Sequence, residues 1–350
     1  CDRRQRQMCI RDSLETANQL LKSLKADATI SDDILFNGDA VKWRKYANSL
    51  KVRILMRQSA KKDVSADIAA IFNNAQEYPV FTSIDDQATL VYNNTVDFYK
   101  WYIQPKNLPS DGSGVIFGDN FRVSEAIVDA LQTKDDPRLP VYVAPTKHSF
   151  EAHRANASVP FVYRGQPAGL SAAEQNEIDK DDYSVLSSMI RSESRAFVMT
   201  FAELQFLKAE AIIRGMITGN AADEYAKGIR ASMQKWAAIS SDDVDVYLAR
   251  PDVALNTAQN EALKQIGTQA WIDSFLNGFE AFANWRRTGY PELKVGTSVS
   301  SAIPVRYIYS DNEQNNPNLI SWTNEKIGRM VNETDMVWFQ PQKWNTNVNR

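Results

Sequence analysis

The side chains that most often carry chemistry are scarce here. The chain holds two histidines, His148 and His153, and two cysteines, Cys1 and Cys9. The histidines lie five positions apart in a proline-bounded stretch, with no cysteine and no HExxH frame beside them, so their spacing supplies no zinc site. A Ser-His-Asp arrangement would draw on the same two imidazoles and finds nothing further to support it. Asp111-Gly112-Ser113-Gly114 has two glycines of a phosphate loop, but no Gly-Lys-Ser/Thr follows and Phe117 stands where GxGxxG needs its third glycine. A turn accounts for it better. Asp179, Asp181 and Asp182 open like a calcium loop, yet Tyr183, Ser184 and Ile190 occupy its fifth, sixth and twelfth positions. A glycosidase carboxylate pair leaves no local signature, and 43 acidic residues do not single one out. The expectation is a protein without catalytic residues, metal or cofactor.

Aromatic rings, in contrast, are plentiful: 15 Phe, 13 Tyr and 8 Trp. They crowd residues 91 to 107, VYNNTVDFYKWYIQPKN. Flat rings offer an apolar platform to the C–H faces of a sugar, while amides and carboxylates hydrogen-bond its hydroxyls. On that reading Trp101 and Tyr102 are the first candidate platforms and Tyr99 the next, with Asn93, Asn94 and Asp97 as polar partners. Arg164, beside Tyr163 in a Gly/Pro loop, joins them. Strand-like alternation over the same stretch would instead bury these rings in a core.

The elements around these residues are mostly helical. Leu14, Leu20, Leu21 and Leu24 make one apolar face, ended by Asp32-Asp33 and Asn37-Gly38. Asp39 then stands as an N-cap before a helix with Trp43, Ala47, Leu50 and Ile54 on one stripe. Its other face carries Lys42, Arg44, Lys45, Lys51, Arg53 and Arg57, which reads either as a surface for phosphates or membrane, or as a face paired with acids elsewhere. Residues 77 to 194 are punctuated by prolines and keep only one helical pattern, Val123 to Leu131, with short strands expected at Pro140 to Ala144 and Phe161 to Tyr163. An excursion of that length is expected to carry function. Helices return near Phe197. Thr200 and Glu203 have capping-box spacing, Gly215 is placed to stop that helix, and a second follows Gly219-Asn220. The pair suggests a tetratricopeptide-like hairpin. One further helix is read from Thr257 to Phe282, and an irregular tail beyond.

With 350 residues the chain is long enough to bury a core. Forty basic against 43 acidic residues, a net charge of −3, exclude nucleic-acid binding by bulk charge. No run reaches the ~18 apolar residues of a membrane helix. The first 13 residues stand apart. Cys1 could be the lipid-bearing cysteine of a processed lipoprotein, but Arg3 to Ser13 is basic, aperiodic and joined abruptly to Leu14, so residues 1–13 are set aside as non-native or disordered.

Six stretches together resemble the SusD/RagB family, in its SusD-like lipoprotein branch: GDAVKWRKYANSLKVRILMR; FRVSEAIVDAL with DDPRLPVYVAP; YRGQPAGL; VMTFAELQFLKAEAIIRG; FLNGFEAFANWRRTGYPEL; and IPVRYIYSDNEQNNPN. They follow the family's order and span Leu14 to Arg350. The resemblance implies a mainly α fold: a tetratricopeptide-like helix-pair scaffold over 14–76 and 195–285, a loop-rich region over 77–194, and an irregular C-terminal region over 286–350, all one domain. It implies a non-catalytic, surface-exposed outer-membrane lipoprotein that binds an oligosaccharide or other nutrient and delivers it to a TonB-dependent SusC-like transporter. No nucleic acid is implied, and membrane contact comes only through an N-terminal lipid. Family members are longer, so the chain reads as an N-terminally truncated piece. Two alternatives remain: a glycoside hydrolase with a carboxylate pair, and a cytosolic tetratricopeptide scaffold for peptides.

Overall fold

A computed structural model describes residues 3–24, 28–92, 115, 117, 121–191, 195–296, 302–326, 328–337 and 340. The chain is mainly helical. The first three helices are α1 (Arg3–Lys22), α2 (Ala40–Gln58) and α3 (Ser65–Asn73). α1 runs through the junction at Leu14 without interruption, and Arg11 on its first half pairs with Asp67 of α3 at 3.1 Å. Asp39 caps α2 as its sequence position requires, accepting the N–H groups of Val41 and Lys42.

The basic face of α2 is engaged rather than free. Lys45 pairs with Asp86, Lys51 with Glu15, Arg53 with Glu203 and Arg57 with Glu280. Lys42 donates to the Asp85 carbonyl and Arg44 to Asn18. A row of six cations thus becomes the seam along which α2 joins its neighbours, and the reading of a face paired with acids elsewhere is the one that holds.

Strand β1 (Ala88–Val91) pairs antiparallel with β2 (Arg195–Met199), Val91 opposite Arg195. The described residues between them form an insertion whose two ends meet at this strand pair. This insertion contains α4 (Glu125–Gln132), α5 (Leu139–Tyr142), α6 (Lys147–Ala155), α7 (Ala172–Glu177) and α8 (Ser188–Arg191). The strand expected at Pro140 to Ala144 is instead the short helix α5, because proline's fixed φ suits a first helical turn; only Val143 bridges, to Leu186. Phe161 to Tyr163 lies outside any strand, joined to its neighbour by the Thr146 N–H donating to the Val162 carbonyl at 2.8 Å.

The scaffold resumes with α9 (Phe201–Ile213), α10 (Ala221–Gln234), α11 (Ser241–Leu248), α12 (Gln259–Asp273) and α13 (Gly278–Thr288); α14 (Asp311–Gln314) and α15 (Pro317–Lys326) follow in the tail read as irregular. α9 and α10 form the expected antiparallel hairpin. Thr200 caps α9, but Glu203 does not complete a capping box, since its carboxylate is taken by Arg53 at 2.5 Å. The helix read from Thr257 to Phe282 is two helices. Leu276 adopts a left-handed φ of +72°, and Asn277 restarts the chain as N-cap of α13 while donating to the Phe197 carbonyl. The break lets Asp273 turn to Lys235 on one side and Glu280 turn to Arg57 on the other.

Two large apolar clusters hold most of the described core, and a third, small one joins Val115, Ala144 and Val185. Of the large clusters, one joins α2 and α3 to Phe81, Ala88, Met199 and one side of α9; the other joins α4, α5, α10, α11 and α12 to the other side of α9. α9 is therefore buried nearly all round, as an apolar helix without a polar stripe must be.

Candidate functional site

Six residues singled out from sequence, Asn93, Asn94, Asp97, Tyr99, Trp101 and Tyr102, lie outside the described residues. The seventh, Arg164, is exposed on the outer face of the insertion. Its guanidinium lies 4.9 Å from the Tyr183 ring centre and 3.9 Å from Asp182, while its backbone is locked to Ser184 by bonds of 2.8 and 3.1 Å. Three residues further on, within a chain reach of ~10 Å, Pro167 enters the wall of a large cavity.

That cavity measures about 1030 Å³ and lies where the insertion meets the scaffold. α4 supplies one wall and α12 another, with loops 251–256 and 291–296 around them. Ser124 starts α4 by accepting the Ala126 N–H, which leaves Glu125 and Asp129 one turn apart on the cavity side. Glu261, Gln265, Thr268 and Ile272 recur at helical spacing along α12, and Trp271, half-buried, lines the same space.

Two glycines set the loops. A Cβ on Gly165 would lie 2.3 Å from the Glu125 Cα, so only glycine seats the loop against the start of α4. A Cβ on Gly296 would lie 2.2 Å from the Ala168 carbonyl oxygen, so only glycine lets loop 291–296 meet loop 167–169. The YRGQPAGL stretch is thereby a wall of the cavity.

The deep lining is fixed by a buried polar network. Arg138, fully buried, is held by both Asp136 oxygens at 2.9 and 2.6 Å and donates to Ser232 and Gln269. Gln269 in turn donates to the Tyr247 hydroxyl at 3.2 Å. Burial pushes the Tyr225 and Tyr247 phenols well up, so both stay neutral. At the rim Lys264 pairs with Glu292 at 2.7 Å and Lys134 with Asp252 at 3.2 Å. Hydrogen bonds from Arg250 and then Lys134 hold the Asp252 carboxyl below its ordinary range despite some desolvation. Gln265 is gripped at both ends, donating to the Ala254 carbonyl and accepting the Asn256 N–H.

Five carboxylates (Glu125, Asp129, Asp252, Glu261 and Glu292) face three lysines (Lys134, Lys264 and Lys294) in this lining. An acid excess repels phosphates and acidic sugars and suits a neutral ligand rich in hydroxyl donors. The indole of Trp271 and the apolar side chains among them add the mixed surface that small-molecule sites share. Sequence reasoning missed this site. Its signal was the polar stripe Glu261–Gln265–Thr268 on α12, which reads as a solvated face until a second wall stands opposite.

No described helix is long and apolar enough to cross a membrane. A family model for SusD-like proteins, described as starch-binding and associating with the outer membrane, matches residues 8–310. Among solved structures, the chain is similar to an outer membrane protein from Bacteroides vulgatus whose description links it to nutrient binding. The two are 26% identical over 95% of this chain and 74% of that one, with a TM-score of 0.78. A chitin-binding protein is 28% identical, covering 95% of this chain and 72% of its own, with a TM-score of 0.74. A chitin-binding SusD homologue from Flavobacterium johnsoniae shares the fold at 23% identity and a TM-score of 0.75, over 99% of this chain and 74% of that one. No curated protein matches the chain.

Proposed function

The chain belongs to the SusD-like family, and from that premise we propose that it is a non-catalytic binding protein for a neutral oligosaccharide nutrient at the outer-membrane surface. The observation that carries this reading is the cavity itself: about 1030 Å³, one indole in its lining, and carboxylates and amides that accept and donate to hydroxyls with no cationic excess. Two similar proteins are described as chitin-binding, which makes chitin oligomers the first ligands to test. As a lipoprotein it would hand its ligand to a TonB-dependent SusC-like transporter, and co-purification with such a barrel from native membranes tests that step.

The aromatic segment offers a second reading for the same ligand, with Trp101, Tyr102 and Tyr99 as platforms, Asn93, Asn94 and Asp97 as partners, and Arg164 as a further polar candidate. Calorimetric titration of a neutral glycan panel, chitin oligomers included, separates the two. Trp271→Ala is expected to weaken binding by roughly fivefold, the scale of one lost aromatic contact of about 1 kcal/mol. An unchanged affinity in Trp271→Ala, with a loss in Trp101→Ala and Tyr102→Ala, moves the ligand to the aromatic segment. Labelled oligosaccharide is expected back intact after incubation; shortened products would make the protein a hydrolase instead.

A further inference from the structure

We propose that His148, Asp179 and Asp182 form a binding site for a divalent transition-metal ion of the zinc class on the outer face of the insertion. The sequence separates these residues into two fragments, a His148/His153 pair and an incomplete calcium loop, and neither fragment is a site alone. The fold crosses them. His148 is the second residue of α6, while Asp179 caps and Asp182 ends the short 3-10 turn Lys180–Asp182 that packs against that helix.

One ligand atom from each residue lies within 4.8 Å of the other two. His148 Nε2 stands 3.0 Å from Asp179 Oδ2 and 3.9 Å from Asp182 Oδ1. Zinc bonds of about 2.0–2.2 Å in tetrahedral geometry place neighbouring ligand atoms about 3.3–3.6 Å apart. These two gaps bracket that value and the carboxylate oxygens lie within 4.8 Å of each other, so rotation of the half-exposed side chains brings all three to an ion.

Each carboxylate also has its other oxygen engaged by the protein. Asp179 Oδ1 accepts the Asp181 N–H at 2.9 Å, and Asp182 Oδ2 faces the Arg164 guanidinium at 3.9 Å. Such outer contacts orient the remaining oxygens toward the common point. The neighbouring ammonium of Lys147 does not fill that point, because it pairs with Asp181 at 2.6 Å. All three ligand side chains are about half exposed, which leaves the outer coordination positions open to water. One imidazole with two carboxylates favours zinc and its neighbours over calcium, which seeks six to eight oxygens.

The test is calorimetric titration of the full chain with zinc chloride and, separately, calcium chloride. One equivalent of zinc is expected, bound about tenfold or more tightly than calcium. Affinity should fall by about tenfold or more in His148→Ala and in Asp182→Asn. His153→Ala is expected to bind zinc as the parent does. Metal-free melting curves of His148→Ala and Asp182→Asn should coincide with the parent, since both side chains are about half exposed, so a lost isotherm reports lost ligands and not lost folding. Zinc binding that survives His148→Ala would belong elsewhere, for example to exposed Cys9, and would overturn the assignment; so would calcium binding more tightly than zinc.

Discussion

Lys235 and Lys147 are both lysines paired with an aspartate, and they show how differently the two halves of the molecule use charge. In the helical scaffold Lys235 and Asp273 meet at 2.7 Å with 1% and 3% of their side chains exposed, and Thr200 donates to the same carboxylate. In the insertion Lys147 and Asp181 meet at 2.6 Å with 37% and 29% exposed. Similar geometry carries opposite consequences. A buried pair has exchanged water for one partner, so either charge left alone is stranded; an exposed pair has water as a standing alternative. The same contrast runs through Arg53 and Arg287 in the scaffold and His148 and Arg164 on the insertion, whereas Arg138 of the insertion is buried where it reaches Gln269 of α12. Charge in the scaffold holds helices together, whereas charge on the insertion and at the cavity rim can change partner when a ligand or ion arrives.

The comparison breaks most readily at Lys235. Lys235→Met keeps the volume but strands Asp273, and should lower unfolding free energy by about 3–5 kcal/mol, against about 0.5 kcal/mol or less for Lys147→Met. Urea denaturation of the two variants measures the difference, and equal losses would abolish the distinction. A smaller effect is expected from acid. Arg287 and then Arg214 hold the fully buried Glu210 carboxyl down to about 2 against the desolvation that would raise it. Because the folded value lies below the ordinary 4.5, this contribution is fully present above about pH 4.5 and is lost as pH falls toward 2. It amounts to about 3 kcal/mol, and Glu210→Gln should flatten that limb of the stability profile measured from pH 6 to 2. The smallest effect belongs to the rim: Lys264→Ala removes the exposed pair with Glu292 and should cost under about 1 kcal/mol in the same denaturation assay.

Much of the scaffold was legible in advance because caps and periodicity are local. Asp39, Thr200 and Asn220 each accept N–H groups within three residues, and each helix begins where they stand. The break at Leu276 was not legible in the apolar spacing, since Phe275, Phe279 and Phe282 keep a helical rhythm across it; only Asn277-Gly278 marks it. Phe279, which that rhythm places with Phe275 and Phe282, is 87% exposed at the start of α13. The candidate site fared worse. Arg164 is on the surface, but the cavity draws on α4, α12 and two loops that no motif joins.

The sequence by itself determined where the capped helices α2, α9 and α10 start, that a proline-rich insertion separates two helical stretches, and which family the pattern resembles. These rest on residues within a few positions of one another and on composition. Tertiary structure alone decided which charges are buried, which polar stripe faces a second wall, and that His148 meets Asp179 across 31 residues while Arg57 meets Glu280 across 223. A side chain's partner at such separation is set by how helices pack, and the energy of a charge depends on the water that packing removes.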